Sequence, residues 1–361
     1  MNRFRFSRGI LLIVFGWLIF FSIIGIGINL SFIQPQYKKI RNSYITDSCS
    51  IFTINISNTV YFGNNMDFNL EGTYMWLLPS QEITTPSGNI TTYGCVGFGF
   101  NNNSSSYDGY AQGGMNDQGL CVDANGLPEL SLNPHPERES PYIYIIEQSL
   151  IECANVSEVI DWYLIYNLGT VWSSQMHYAD ASGDAVVISV GTDGEFNFTR
   201  KLKSHYLVST NFNLANHNNG YYPCDRYITA TTMLENISAE VDLTVDACRD
   251  VLDAVHQEGF YATKYSNIFD PINLEIHLYQ NHNFDKKVSL DLVEELEKVH
   301  PGGKNVLQVD GFYYKEVSIA SLFETSGSPA IPGYSLAVLI STAALGSLIL
   351  IILVRKRKLL I

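Results

Sequence analysis

Two uncharged apolar runs bracket this chain and decide which part of it can form a globular core. From Ile10 to Leu30 stand 21 residues without a charge, "ILLIVFGWLIFFSIIGIGINL", and a second run, from Tyr334 to Val354, ends against "RKRKLLI". A helix rising ~1.5 Å per residue needs about 20 apolar residues to cross the ~30 Å hydrocarbon layer of a bilayer, so both runs are predicted membrane helices. Residues 1–48 therefore read as a signal or transmembrane leader with a propeptide, and 49–323 as the folded domain. Residues 324–333, rich in Pro, Gly and Ser, read as a flexible linker to the helix at 334–354, which is followed by a basic tail at 355–361.

Basic residues near a membrane span tend to stay on the cytoplasmic side. Arg3, Arg5 and Arg8 precede the first run and Lys38, Lys39 and Arg41 follow it, so that run has no charge bias. The second run has one, because Arg355, Lys356, Arg357 and Lys358 all lie beyond it. With that tail inside, the domain between the runs is expected on the extracellular side of the cell membrane.

Between Cys49 and Val354 there are 12 basic and 35 acidic residues, a net charge of −23. A surface that acidic disfavours nucleic acid and anionic headgroups as partners. The six cysteines (Cys49, Cys95, Cys121, Cys153, Cys224 and Cys248) form no C-x-x-C pair and no zinc-like spacing with His. Neither a metal nor an organic cofactor is expected, and in an exported domain the plain expectation for cysteines is disulfides.

The domain opens with alternating, strand-like runs. "SIFTINI" and "TVYFGNNMDF" are separated by the turn dipeptide "SN", and "TYMWLLPS" and "TTYGCVGFGF" continue the pattern. The apolar period then changes to a helical one across "SPYIYIIEQSLIECANVSEVIDWYLIYN", with a helix start expected at Ser157–Ile160. "QMHYADASGDAVVISVGTDGEFNFTR" reads as a strand meander, "CDRYITATTMLENI" and "TVDACRDVLDAVHQEG" as helices, "NLEIHLYQNH" as a strand and "SLDLVEELEKV" as a helix. Blocks of strands and helices in this order predict an α+β fold and not an alternating β-α-β-α one.

No G-x-S-x-G elbow, phosphate-binding loop, H-E-x-x-H or dinucleotide fingerprint is present. A base can come from the backbone instead. Cleavage between Ser48 and Cys49 would create an α-amine with a pKa of about 7.7–8.0, on the same residue as a thiol whose proton it can accept.

The flanking residues carry a resemblance. "CSIFTINISNTVYFGNNMDF", "YAQGGMNDQGLCVDANGLP", "HYADASGDAVVI", "YLVSTNFN", "DRYITA" and "NLEIHLYQNHNFDKKVSLDLVEEL" occur in that order and span Cys49 to Leu296. Together they resemble the choloylglycine hydrolase and penicillin V acylase family of N-terminal-nucleophile hydrolases, which act on linear amide C–N bonds. The resemblance implies a four-layer αββα sandwich and, as in much of that family, a possible homo-oligomer.

It also implies roles. Cys49 matches the nucleophile and Asp67 the carboxylate that holds its amine and thiol. Asn125 and Asn211 match asparagines near the oxyanion site, and Arg226 an arginine that supports the site. The chain departs from the family at Asn64, a substrate-binding position, where "GNNMD" replaces the usual "GRNMD" and a charge is lost. Each residue also has a plain structural reading: Asp67 and Asn64 in a turn, Asn125-Gly126 as a hairpin dipeptide, Asn211 as a loop cap and Arg226 paired with an acid.

The expected function is thus a membrane-anchored, extracytoplasmic amidase acting on a small N-acyl amide. Two other readings stay open, an acyltransferase on the same fold and a catalytically silent surface-binding domain.

Overall fold

The computed structural model describes residues 49–69, 72–100, 110–303, 306–309 and 312–325, all within the unit that begins at Ile45. The leader, both apolar runs, most of the linker and the basic tail lie outside the described residues, and with them the expectations about membrane spans and topology. Among the described residues no helix is long and apolar enough to cross a membrane.

The opening hairpin forms as its alternation predicts. Strand β1 (Ser50–Ile56) pairs antiparallel with β2 (Thr59–Asp67), Ser50 opposite Asn65 and Ile56 opposite Thr59. Ser57, in the intervening turn, takes a positive φ of 53°, a left-handed conformation that tight two-residue turns demand. The chain continues through β3 (Thr73–Leu78), the small hairpin β4 (Glu82–Thr85) and β5 (Gly88–Thr91), β6 (Cys95–Phe100), β7 (Tyr110–Asn116) and β8 (Cys121–Ser131). After two helices come β9 (Val171–Ala179), β10 (Ala185–Val190), β11 (Phe196–Arg200), β12 (Tyr206–Ser209) and the short pair β13 (Phe212–Asn213) and β14 (Asn216–Gly220). A second pair of helices precedes β15 (Thr263–Asp270), β16 (Glu275–Gln280), β17 (Asn283–Asp291), β18 (Val306–Val309) and β19 (Phe312–Ser318).

These strands make two large antiparallel sheets. The first runs β12-β1-β2-β15-β16-β17 and the second β11-β10-β9-β8-β7-β6-β3-β19-β18. Three separate apolar cores show how they stack. Cys49, Ile51, Phe62, Met66, Phe98, Met115 and Phe269 fill the space between the sheets. Ile146, Leu150, Val159 and Tyr163, from the Ile145–Glu152 and Val156–Ile165 helices, pack on the outer face of the second sheet. Ala230, Leu234, Val251 and Leu252, from the Asp225–Asn236 and Val245–Ala254 helices, cover the outer face of the first. The order is helix, sheet, sheet, helix, the four-layer arrangement expected. Each large side chain buried in these cores contributes about 1.5–3 kcal/mol.

Three local expectations need correction. The long apolar run at 140–167 is two helices, and the second begins at Val156, because Asn155 Oδ1 accepts the Glu158 amide at 3.0 Å while Glu158 Oε2 accepts the Ala154 amide at 2.7 Å. That reciprocal cap fixes the start before Ser157. "SLDLVEELEKV" is helical only over Leu292–Glu297, since Ser289–Asp291 finishes β17 and Asp291 caps the helix. Cys95, Cys121, Cys153, Cys224 and Cys248 stand as thiols, all but Cys224 buried, and Cys49 is buried with its thiol on Met66. The five buried ones pack as small apolar residues in the cores, so the disulfide expectation is not met.

Candidate active site

Cys49 lies at the start of β1, 1% exposed, with its thiol donating to Met66 Sδ at 3.6 Å across the hairpin. Four other residues singled out in the sequence meet around it. Asn125 Nδ2 donates to the Cys49 carbonyl at 3.2 Å, from the opposite sheet. Arg226, in the first turn of the Asp225–Asn236 helix, donates through Nη1 to the same carbonyl at 2.8 Å and to Ser50 Oγ at 2.8 Å. Its Nη2 donates to Asn211 Oδ1 at 2.8 Å, and Asn211 Nδ2 donates in turn to the Gly126 carbonyl at 2.9 Å. Asp67, at the end of β2, has Oδ2 3.7 Å from Arg226 Nη1.

The plain reading of Asn125-Gly126 as a hairpin dipeptide is not what the structure has. Both residues sit inside β8, opposite Gln175 and Ser174 of β9, ahead of a register shift between Gly126 and Leu130. Asp67 and Asn64 likewise belong to a strand and not to a turn. Asn64 stands apart from the Cys49 cluster. It is wholly buried between the sheets, opposite Ile51 and Asn267, and donates through Nδ2 to Asn267 Oδ1 at 3.3 Å.

Asp67 is held by residues that no motif pointed to. Thr263 Oγ1 donates to its Oδ1, and Gln257 Nε2 donates to its Oδ2 at 2.9 Å. Burial pushes the Asp67 carboxyl up to about 7, against the opposing pull of Thr263, Arg226 and Gln257. The Arg226 charge at 3.7 Å is thus not enough to offset desolvation of a fully enclosed carboxylate. A second positive charge beside it, such as a free α-ammonium, would bring it back down.

Other features of the fold lie apart from this cluster. His177 is enclosed between Thr53 Oγ1 at 3.0 Å and Ser209 Oγ at 2.9 Å, and burial pushes it down to about 3, so it is a neutral interior imidazole. A cavity of about 300 Å³ opens among Thr85, Tyr93, Glu139, Tyr142, Glu152 and Tyr166, and it shares no residue with the Cys49 cluster. Among the described residues no three His, Cys, Asp or Glu side chains converge as a metal site requires.

What the cluster can do chemically follows from its donors. The residue that bears the thiol, at the head of a strand, has its carbonyl held by one side-chain amide and one guanidinium. Asn125 Nδ2 carries two N–H groups, and one of them is turned to Cys49.

No protein-family model matches the chain, and no curated protein matches it by sequence. Solved structures do. Penicillin V acylase from Agrobacterium tumefaciens is 19% identical, with a TM-score of 0.53 over 68% of this chain and 86% of that one. A mutant of the conjugated bile acid hydrolase from Clostridium perfringens is 14% identical, with a TM-score of 0.53 over 74% of this chain and 96% of that one. A second variant of the same hydrolase gives 14% identity and a TM-score of 0.52 over 75% and 97%. This chain therefore shares its fold with a penicillin V acylase and a conjugated bile acid hydrolase.

Proposed function

We propose that the chain is a hydrolase of linear amide bonds, of the choloylglycine hydrolase and penicillin V acylase kind, with Cys49 as its nucleophile once cleavage after Ser48 makes it the first residue. The observation that carries this reading is the meeting of Asn125 and Arg226 on the Cys49 carbonyl, with Asp67 and Asn211 joined to the same guanidinium. Two donors far apart in the chain converge on one carbonyl of a buried cysteine, and two further residues hold the guanidinium that supplies one of them, which marks the position of Cys49 as fixed on purpose.

In the proposed reaction the free α-amine of Cys49 takes the thiol proton, and the thiolate attacks the carbonyl carbon of an N-acyl amide. Asn125, with Asn211 beside it, stabilises the tetrahedral oxyanion. The α-ammonium then protonates the leaving nitrogen as the C–N bond breaks, and water hydrolyses the thioester to release the acid and restore the thiol. Asp67 stays close to the ammonium as its counter-charge, and Arg226 fixes the Cys49 main chain so that thiol and amine keep their geometry.

The fold shared with two amide hydrolases supports the reaction class. The acidic domain supports a small substrate in place of an anionic polymer. The proposal extends to an enzyme held at the cell membrane by its C-terminal apolar run, with the catalytic domain outside. The test of the reaction is turnover of N-acyl amino acids, N-acyl amines, β-lactams and short peptides by the purified wild type and by Cys49→Ala. Hydrolysis of at least one class by the wild type and none by the variant is expected, and an equally active Cys49→Ala would refute the reading.

A further inference from the structure

Beneath Cys49, inside the sandwich, stand two proton-bearing side chains that this reaction scheme leaves unused. Tyr265 on β15 pairs with Met66 of β2, the residue whose Sδ meets the Cys49 thiol, so Cys49, Met66 and Tyr265 form one row across the first sheet. The Tyr265 ring lies 6.1 Å from Phe98 and 6.5 Å from Phe100, both on the opposing sheet. In that sheet Phe98 pairs with Gly113 and Gly113 with Asp123. A Cβ at Gly113 would stand 2.2 Å from Asp123 Oδ2, so the missing side chain is what lets the carboxyl occupy its place. Asp123 is two residues from Asn125 on the same strand, hence on the same face and ~7 Å along it, and Asn125 is the residue that reaches Cys49.

Both groups are enclosed, Asp123 at 1% and Tyr265 at 0% exposure. Asp123 Oδ2 and the Tyr265 hydroxyl have no hydrogen-bond partner among the described residues, a rare condition for buried polar atoms. Burial holds the Asp123 carboxyl well above the usual carboxylate range. Burial, then the nearby Asp123 and Cys49, hold the Tyr265 hydroxyl well above its ordinary value. Each therefore carries a proton with no acceptor. The other titratable groups around the thiol are Arg226, which donates to the Cys49 main chain, Asp67, which lies against Arg226, and His177, which pairs with Asp123 across β8 and β9 and is neutral.

We propose that Asp123 and Tyr265 are a pair of neutral hydrogen-bond donors that hold the Cys49 thiolate as it forms. A carboxylic acid kept protonated by an apolar enclosure is a strong donor at neutral pH, and a donor aimed at a forming anion favours its ionised state. This inference rests on Cys49 being the nucleophile of the proposed reaction.

The test is the pH dependence of Cys49 alkylation by iodoacetamide, followed by peptide mass spectrometry on the purified protein, with melting temperature as the folding check. Tyr265→Phe and Asp123→Leu should each raise the midpoint by about one pH unit, a tenfold loss of thiolate on its lower flank. Asp123→Asn, which keeps a neutral donor, should leave the midpoint within about 0.3 unit. Unchanged midpoints in the first two variants, or a lowered one in Asp123→Asn, would overturn the pair. Should a variant not fold, infrared spectra of the wild type decide. A protonated-carboxyl band that shifts when Cys49 is alkylated supports the pair, and its absence overturns it. If Cys49 reacts no faster than the other five cysteines, the amidase reading itself falls and takes the pair with it. A fast Cys49 that ignores both substitutions overturns the pair alone.

Discussion

Arg226 donates to the main-chain carbonyl of Cys49 at 2.8 Å, across 177 positions of sequence. The contact joins the first helix of one outer layer to the first residue of the innermost hairpin. It places a fixed positive charge at the backbone of the thiol-bearing residue while its other arm holds Asn211.

Removing that arginine leaves Asp67 buried without its cation and two oxygens without their donor. Arg226→Met should destabilise the protein by about 3 kcal/mol, the usual cost of breaking a buried pair from one side. It should also lower kcat/KM by at least ~100-fold. Urea unfolding checks the first figure and steady-state kinetics the second; a loss of activity with full stability would make the role purely chemical.

Asp67 and His177 predict opposing responses to pH. The Asp67 carboxyl is raised from 3.8 to about 7 in the folded protein, so its contribution to stability is complete below pH 4 and is lost as pH rises through 7. His177 is lowered from 6.5 to about 3, so its contribution is complete above pH 6.5 and is lost as pH falls toward 3. Melting curves of the unprocessed Cys49→Ala chain from pH 4 to 8 should show a smaller loss toward neutral pH when Asp67→Asn is added and a smaller loss toward acid pH when His177→Gln is added. Identical pH profiles with and without the added substitutions would contradict both assignments.

Gly113→Ala tests how closely the neighbouring strands β7 and β8 pack around Asp123. The added Cβ would lie 2.2 Å from Asp123 Oδ2 and 2.6 Å from the Val122 carbonyl, and the second is main chain that cannot turn aside. A loss of about 2 kcal/mol or more is expected, read by chemical denaturation. Wild-type stability would show that β7 and β8 can slide apart.

Much of this arrangement was legible before any coordinates. The alternation around "SN" gave the β1–β2 hairpin its register, and the ordered motifs pointed to five residues that do come together: Cys49, Asp67, Asn125, Asn211 and Arg226. Strand β15 was not legible. "TKYSNIFD" has no clean alternation because it is buried on both faces, and it inserts beside β2 from almost 200 residues away. With it went Thr263, which holds Asp67, and Tyr265 and Asn267, which face the core. Asp123 left one faint signal, a lone acid within an otherwise apolar strand start. Asn64, flagged for the charge it lacks, turns out to be paired with Asn267, a partner that only the long-range register supplies.

The central claim is that Cys49 becomes the first residue of the working protein. Intact-mass analysis with N-terminal sequencing of purified wild type, beside Cys49→Ala, tests it most directly. The account predicts a wild-type chain that begins at Cys49 and a variant that is neither processed at that bond nor active. A fully active wild-type protein that still carries Asp47 and Ser48 would contradict it.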